Sequence, residues 1–144
     1  MATTETAKPK KQPKKDYHYA RGRRRTASAR ARLYKGDKES TVNGDVIGKY
    51  FPGEASTKLW QKPFELTSTL GKYYVTTKVS GGGKVGQLEA VIHAISRSLV
   101  ALDTEKHRAV LKSNGLLSRD ERTRERRMVG TGGKSRRKKS SPKR

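Results

Sequence analysis

Two segments of the chain alternate between small or apolar residues and polar ones, and a period of two predicts half-buried β-strands. The first segment runs from Thr26 to Tyr34, and its inward positions carry Ala27, Ala29, Ala31 and Leu33. Its outward positions carry Ser28, Arg30, Arg32 and Tyr34. The second segment runs from Tyr73 to Val79, directly before a run of glycines. The first strand is therefore predicted to have one buried face and one cationic face.

A period of 3.6 residues predicts one long helix over residues 86–102. Its apolar stripe consists of Leu88, Val91, Ile92, Ile95, Leu99 and Leu102. A second helix is predicted from Glu105 to Ser113, with Asn114 and Gly115 as its C-terminal stop. His93 lies beside the apolar stripe, where a structural histidine is expected more often than a general base.

The segment between the two strands predicts short elements. Lys35–Lys38 is predicted to form a turn, after which residues 40–42 return as a short strand and complete a hairpin with the first strand. Asp45 is predicted to cap a short helix. A further short helix is predicted over residues 54–61, ending before Pro63.

Charge divides the chain into three parts. The 144 residues include 35 Lys and Arg against 13 Asp and Glu, giving a formal net charge of +22. Residues 1–32 hold 11 basic and 2 acidic groups, and residues 119–144 hold 12 and 3. We therefore expect a disordered Lys/Pro-rich extension over residues 1–16, a globular body over residues 17–118 and an extended basic tail over residues 119–144.

Composition excludes several classes of protein. The absence of Cys excludes disulfides, thiol catalysis and zinc ribbons, and three scattered histidines offer little for a metal cluster. The sequence has no run of about 18 apolar residues, so no membrane span is predicted. It also has no apolar segment at its N-terminus, so no secretory signal is predicted. No nucleophile, base and orienting residue form a recognisable set. The excess of positive charge predicts a polyanionic partner, because the chain would otherwise repel itself.

Two glycine-rich segments invite comparison with phosphate-binding loops. Gly81–Gln87 joins the second strand to the long helix, and two interpretations stay open: a structural turn, or a backbone contact with an RNA phosphate. Gly130–Ser135 ends in Gly-Lys-Ser, but Met128 occupies the position where a P-loop requires its first glycine. A nucleotide-hydrolysing enzyme is therefore disfavoured.

The first basic block predicts nucleic-acid binding. Six arginines fall within residues 21–32 without an acidic neighbour, and arginine grips phosphates in bidentate fashion. Tyr17, Tyr19 and Tyr34 flank this block, and both stacking on bases and packing at a strand edge stay open for them. Arg119–Arg127 interleaves acidic residues, so a solvated helix is the alternative to RNA contact there. Net charge alone also fits a basic architectural protein that binds DNA.

Eight short motifs occur in a specific order. They are Gly22–Arg25, Thr41–Gly44, Tyr50-Phe51, Pro63–Leu66, Gly81–Gln87, Ala94–Leu99, Arg119–Arg127 and Lys143-Arg144. In this order they resemble bacterial-type small-subunit ribosomal protein nine over residues 17–144. The chain departs from the family pattern near its end, where Pro142 precedes Lys143 and the usual aromatic is missing.

The resemblance implies a fold and a function. The implied fold is α/β (α+β), with a mixed four-stranded sheet packed on helices and a left-handed β-α-β crossover, as in the second domain of small-subunit ribosomal protein five. The implied role is that of a non-enzymatic constituent of the small-subunit head in translation, without a cofactor, a small-molecule substrate or a membrane. Its implied partners are small-subunit rRNA, the peptidyl-site tRNA and neighbouring ribosomal proteins. A bacterial cytoplasm is the default location, and an organellar ribosome is the alternative.

The resemblance also implies site residues. Contacts with rRNA are implied for Arg21, Arg23, Arg24, Arg25, Arg30, Arg32, Gly81, Gly82, Gly83, Lys84, Gln87, Arg97, Arg119, Arg122, Arg124, Arg126, Arg127, Lys134, Arg136, Arg137, Lys138 and Lys139. Lys143 and Arg144 are implied to contact the anticodon stem-loop of the tRNA.

Overall fold

A computed structural model of the protein describes residues 16–127. Its elements are β1 (Tyr17–Arg24), β2 (Ala27–Lys35), β3 (Thr41–Val42), β4 (Asp45–Val46), α1 (Ile47–Tyr50), α2 (Glu54–Leu66), β5 (Tyr73–Ser80), α3 (Lys84–Leu102) and α4 (Thr104–Ser113). The strands form one mixed sheet in the order β1-β2-β5-β3-β4. The predictions for residues 1–15 and 128–144 lie outside the described residues.

The core lies between one face of the sheet and helix α3. The four inward residues predicted for β2 are completely buried, and they face the apolar stripe of α3. Gly22 on β1 explains how closely the helix approaches: a Cβ there would lie 2.0 Å from the carbonyl oxygen of Ala90 and 2.5 Å from the amide nitrogen of Ala94. The strand β5 and the helices α3 and α4 are confirmed, with α3 beginning at Lys84 and α4 at Thr104.

The predicted hairpin between β2 and β3 is wrong. Strand β2 pairs with β1 on one side and with β5 on the other, in antiparallel registers of eight residue pairs each. Both edges of β2 are therefore occupied by longer strands, and the two-residue β3 pairs in parallel with β5 instead. The side chain of Asn43 strengthens this pairing, because it accepts a hydrogen bond from the amide of Val79 and donates one to the carbonyl of the same residue.

Two helix boundaries also differ from the prediction. Asp45 belongs to β4, and α1 begins at Ile47 without a side-chain cap. Helix α2 does not end before Pro63 but continues to Leu66. Pro63 and Phe64 are buried, so their packing on the core holds the last turn although proline lacks the amide that this turn would use. Tertiary packing thus outweighs the local effect of proline.

The implied fold class is confirmed: helices pack on a mixed sheet. The sheet has five strands where the resemblance implied four, and the two-residue β4 accounts for the difference. The parallel pair β3 and β5 is joined through α1 and α2, which makes the β-α-β crossover; its left-handedness stays a prediction. Helix α3 is long and apolar enough to span a membrane, but half of that apolar window is buried inside the protein, as in a core helix.

Candidate nucleic-acid interface

The sheet has an open face, formed by the side chains of β1, β2 and β5 that point away from α3. The register places Arg21 opposite Arg30 and Arg30 opposite Lys78, so a row of cations crosses three strands. None of these strands contains Asp or Glu. The open face includes a concavity of about 760 Å³ that extends to Asn43. Its positive charge is therefore uncompensated within the strands that form it.

Aromatic side chains cover one end of the open face. Tyr34 lies between Tyr17 and Tyr74, with ring centroids 5.5 Å and 5.2 Å apart, and it is nearly parallel to Tyr74. The guanidinium of Arg32 lies 5.2 Å from the centroid of the Tyr17 ring. Tyr34 has aromatic neighbours on both sides, which favours packing over base stacking for this residue. Tyr19 remains 47% exposed and retains a free aromatic surface.

Arg24 does not point to the open face, unlike Arg21 and Arg23 on the same strand. It is 8% exposed, and its guanidinium forms ion pairs with Glu89 of α3 and with Asp120, at 3.0 Å in the second case. It also donates to the carbonyl oxygen of Arg122 at 3.0 Å. We name Arg24, Glu89, Asp120 and Arg122 the Arg24 clamp. The clamp ties the segment after α4 to strand β1.

The segment 119–127 forms no helix in the structure, so the solvated-helix alternative is wrong. Arg122 bonds to the carboxylate of Asp120 two residues earlier, with Nη2 2.7 Å from Oδ2. Helical geometry brings residues three and four apart together, not residues two apart. Hydrogen bonds from Arg122, and then the charge of Arg24, hold the pKa of Asp120 well below its usual range. The remaining arginines of this segment, Arg119, Arg124, Arg126 and Arg127, are exposed.

Beside the clamp, a second group of arginines converges at the free edge of β1. Arg21, Arg23, Arg97 and Arg119 line a concavity of about 260 Å³ together with Ser28 and His93. We name it the arginine pocket. Arg97 of α3 donates to the main-chain carbonyl of Arg21 at 2.9 Å, which holds the helix against the strand edge. The sequence predicted the four arginines individually, but it gave no indication that they meet or that Ser28 and His93 border them.

His93 forms the inner wall of the arginine pocket. Its Nε2 lies 3.2 Å from the carbonyl oxygen of Leu117, and because a carbonyl only accepts, Nε2 carries the proton. Its buried Nδ1 has no hydrogen-bond partner among residues 16–127. Burial lowers the pKa of His93, and the charges of Arg97 and Arg119 lower it further. These effects outweigh the carbonyls of Leu117 and Arg23, which raise the pKa, so the net shift favours the neutral imidazole.

The Gly81–Gln87 loop has a structural explanation. Gly81 has φ +76°, and a Cβ there would lie 2.6 Å from the carbonyl oxygen of Thr26 in the turn between β1 and β2. The Gln87 side chain donates to the carbonyl of Gly81 and accepts from the hydroxyl of Tyr50. The loop is thus packed beneath the β1–β2 turn. The predicted rRNA contacts of this loop stay predictions; they concern Gly81, Gly82, Gly83, Lys84 and Gln87.

Comparisons with known proteins identify related sequences. The family model described as Ribosomal protein S9/S16 matches residues 22–144. The chain belongs to the ribosomal protein S9 family. A small ribosomal subunit protein uS9 from Maridesulfovibrio salexigens is 47% identical over 119 residues, which cover 83% of this chain and 91% of the relative. The uS9 proteins of Lawsonia intracellularis and Solidesulfovibrio magneticus are each 44% identical, over 80% and 82% of this chain and 88% and 90% of theirs.

Family membership confirms several predictions. The S9 family is structural and non-enzymatic, and its members belong to the small ribosomal subunit, a ribonucleoprotein particle of translation. A ribosomal protein has rRNA and neighbouring ribosomal proteins as partners. Of the predicted RNA-contacting residues, the structure describes those up to Arg127. The predicted contacts of Lys134, Arg136, Arg137, Lys138, Lys139, Lys143 and Arg144 lie outside the described residues.

Proposed function

We propose that this S9-family protein binds small-subunit rRNA through the open face and the exposed arginines around it, as a structural constituent of the subunit head. The observation that carries the proposal is the cationic row of Arg21, Arg30 and Lys78, which crosses three strands that contain no carboxylate. Phosphate groups neutralise such a row and release counterions from the RNA. The proposed protein partners are neighbouring ribosomal proteins of the head, and the proposed location is the bacterial cytoplasm.

The basic tail is proposed to extend this function to the peptidyl-site tRNA. The Arg24 clamp supports the proposal, because it fixes the point at which residues after Asp120 leave the body. A tail of about 15 residues reaches roughly 50 Å when fully extended. Lys143 and Arg144 are the proposed contacts with the anticodon stem-loop. Arg24 contributes in this scheme by positioning the segment, since its donors are bonded within the protein.

Sedimentation tests the ribosomal assignment. A tagged protein in a lysate is expected to comigrate with the small subunit at one copy per particle and to stay there after a high-salt wash, because many contacts must break together. The same lysate treated with DNase serves as a control. Protein that washes off the subunit, or that disappears from its fraction after DNase treatment, would favour the alternative of a DNA-binding architectural protein.

A truncation tests the tRNA contact. Deletion of Lys143-Arg144 is expected to leave incorporation into the subunit intact and to weaken peptidyl-site tRNA binding. The matched control replaces Lys10 and Lys11 by serine, which removes the same number of charges from the N-terminal extension, where no RNA contact is implied. Filter binding of tRNA to reconstituted subunits measures both variants. Equal tRNA affinity for the truncated and control subunits would contradict the proposed contact.

A further inference from the structure

We propose that the lysine-rich end of the N-terminal extension, residues 8–15, docks in a groove on the helical side of its own chain. Trp60, Phe64 and Leu70 contribute apolar side chains to this groove, and the loop between β2 and β3 borders it. We name it the Trp60 groove. The proposed rRNA contacts involve neither the groove nor this segment, which precedes the family match at residues 22–144.

The Trp60 groove is a concavity of about 320 Å³ bordered by α1, α2 and the loops before β3 and β5. Its lining includes Tyr73, which packs against the core, whereas the next residue, Tyr74, stacks on Tyr34 of the open face. Because successive side chains of a strand point to opposite faces, the groove lies on the helical side of the sheet. Two of its lining residues, Leu70 and Val46, are 54% and 41% exposed. The described part of the chain therefore leaves apolar surface uncovered here.

The charge of the groove disfavours RNA as its occupant. Asp37 and Glu39 line it with Lys38 between them, so these three residues carry a net charge of −1 on a chain whose net charge is +22. Within residues 16–127, neither carboxylate forms an ion pair. Carboxylates repel phosphate groups and attract cations. A cationic peptide with apolar side chains therefore fits the groove best.

The N-terminal extension has this chemistry. Residues 8–15 read KPKKQPKK, with five lysines, two prolines and no carboxylate. Lysine pairs with carboxylates, and proline rings pack on aromatic side chains in the grooves that recognise proline-rich segments. Proline also restricts a chain before it binds, so less conformational entropy is lost when the segment is ordered. The segment thus supplies both groups that the Trp60 groove accommodates.

The extension joins the body at the end of the sheet where the groove lies. Strand β1 begins at Tyr17 opposite Tyr34, and just beyond this end of β2 the amide of Gly36 donates to the carbonyl of Lys72 at 3.0 Å. Strands β1 and β5 are two strand spacings apart, roughly 10 Å. Residues 8–15 lie within nine positions of Tyr17, which corresponds to roughly 30 Å of extended chain. The segment is therefore long enough to cross to the groove.

Covalent attachment favours this segment over a separate basic partner. Exposed ion pairs are individually weak, so a free peptide of the same charge would bind the groove poorly. A short flexible connection provides an effective concentration on the order of millimolar, at which a millimolar affinity fills the groove in about half of the molecules. Docking of this strength covers the exposed apolar side chains in the isolated protein and remains reversible.

Paramagnetic relaxation in the isolated full-length protein tests the docking. The chain has no cysteine, so Ala7→Cys carries the only nitroxide label. Amide signals of Gly48 and Gly71 in the groove are expected to lose about half of their intensity relative to Thr26 and Gly82 at the opposite end of the sheet. No loss is expected when spin-labelled ¹⁴N protein is mixed with ¹⁵N protein that carries no label. Equal intensities at both ends of the sheet would overturn the proposal, and so would a loss in the mixed sample, which would assign the groove to a second copy of the chain.

Charge variants separate docking from simple proximity of the attached label. Asp37→Asn with Glu39→Gln removes both carboxylates of the groove, and Glu121→Gln with Glu125→Gln removes two exposed carboxylates elsewhere as the matched control. The groove variant is expected to restore the groove signals about twofold, and the control is expected to leave them reduced. Raising the salt concentration from about 0.1 M to about 1 M shortens the Debye length from about 10 Å to about 3 Å and is expected to act like the groove variant. The same intensity loss in both double variants would contradict docking.

Trp60 is the only tryptophan of the chain and provides a second readout. Deletion of residues 2–15 is expected to shift its emission to longer wavelength, because the ring is then more exposed to water. Deletion of residues 136–144 removes six basic residues from the other terminus and is expected to leave the emission unchanged. Identical emission from the two truncated proteins would overturn the proposal and would leave a neighbouring ribosomal protein as the occupant of the groove.

Discussion

Replacing Arg24 by alanine is expected to destabilise the protein more than the same replacement of any exposed arginine. The substitution removes a guanidinium that is 8% exposed and leaves Glu89 and Asp120 without their shared cation. It also removes the hydrogen bond to the carbonyl of Arg122. The segment 119–122 then loses its main attachment to β1.

The magnitude follows from how exposed the partners are. Breaking a fully buried ion pair costs about 3 to 5 kcal/mol, because the remaining charge stays desolvated. Here the side chains of Glu89 and Asp120 are 46% and 32% exposed, so water recovers part of that loss. Asp120 also keeps its bonds to Arg122. We therefore expect a loss of about 2 kcal/mol in the free energy of unfolding.

Urea unfolding measures the effect, and a double-mutant cycle assigns it. With a slope of about 2 kcal/mol per molar urea, the midpoint is expected to fall by about 1 M. Arg24→Ala and Asp120→Asn are expected to be non-additive, since each removes the same contact. Lys106→Ala is the control: it breaks the exposed pair with Asp103, and such pairs contribute less than about 1 kcal/mol.

Two results would refute this reasoning. One is a midpoint for Arg24→Ala that equals that of Lys106→Ala. The other is full additivity with Asp120→Asn, which would mean that the two residues do not stabilise each other.

Three further predictions concern the core and its pH dependence. Gly22→Ala is expected to lower the free energy of unfolding by about 3 kcal/mol in thermal unfolding, because the added Cβ collides with the backbone of α3. Gly48→Ala is the control: its added Cβ meets nothing within 4 Å, so no change in stability is expected. Gly81→Ala is expected to lose stability by the same assay through its positive φ and its clash with Thr26; wild-type stability would contradict this. The pKa of His93 is lower in the folded protein than its ordinary value of 6.5. As the pH falls through that region, the unfolded chain therefore binds more protons than the folded protein, and the free energy of unfolding is expected to fall. Urea midpoints between pH 7 and pH 5 check this, and His93→Gln is expected to flatten the decline.

The alternation and helical periods predicted the elements whose inward residues are consistently small or apolar. Strand β2 and helix α3 are of this kind. The inward positions of β2 and four of the six stripe residues of α3 are buried, and the other two, Ile92 and Leu102, are partly buried against the core. Strand β1 was missed because its inward positions are Ala20, Gly22 and Arg24, which form no apolar pattern. Gly22 is small because α3 crosses it, and Arg24 is buried because two carboxylates meet it. Both reasons are contacts with segments far away in the sequence, so the residues next to Gly22 and Arg24 do not reveal them.

Composition predicted the chemistry of the interface but not its layout. Six arginines within residues 21–32 indicated a polyanionic partner, and the open face presents four of those cations, Arg21, Arg23, Arg30 and Arg32. The same reasoning treated Arg24 as equivalent to its neighbours, although strand geometry turns it to the opposite face. Arg97 and Arg119 were predicted separately, from different motifs, and only the folded chain brings them to Arg21.

The sequence by itself determined the family, the cationic character and the main helices and strands, because residue types, their order and local periodicity are properties of adjacent positions. Only the tertiary structure decided that β1 rather than β3 pairs with β2, that Arg24 is bonded inside the protein, and that four arginines converge at the free edge of β1. Those outcomes depend on contacts between segments far apart along the chain. Such contacts form where the shapes and charges of two distant segments are complementary. The local sequence pattern of one segment does not encode this complementarity.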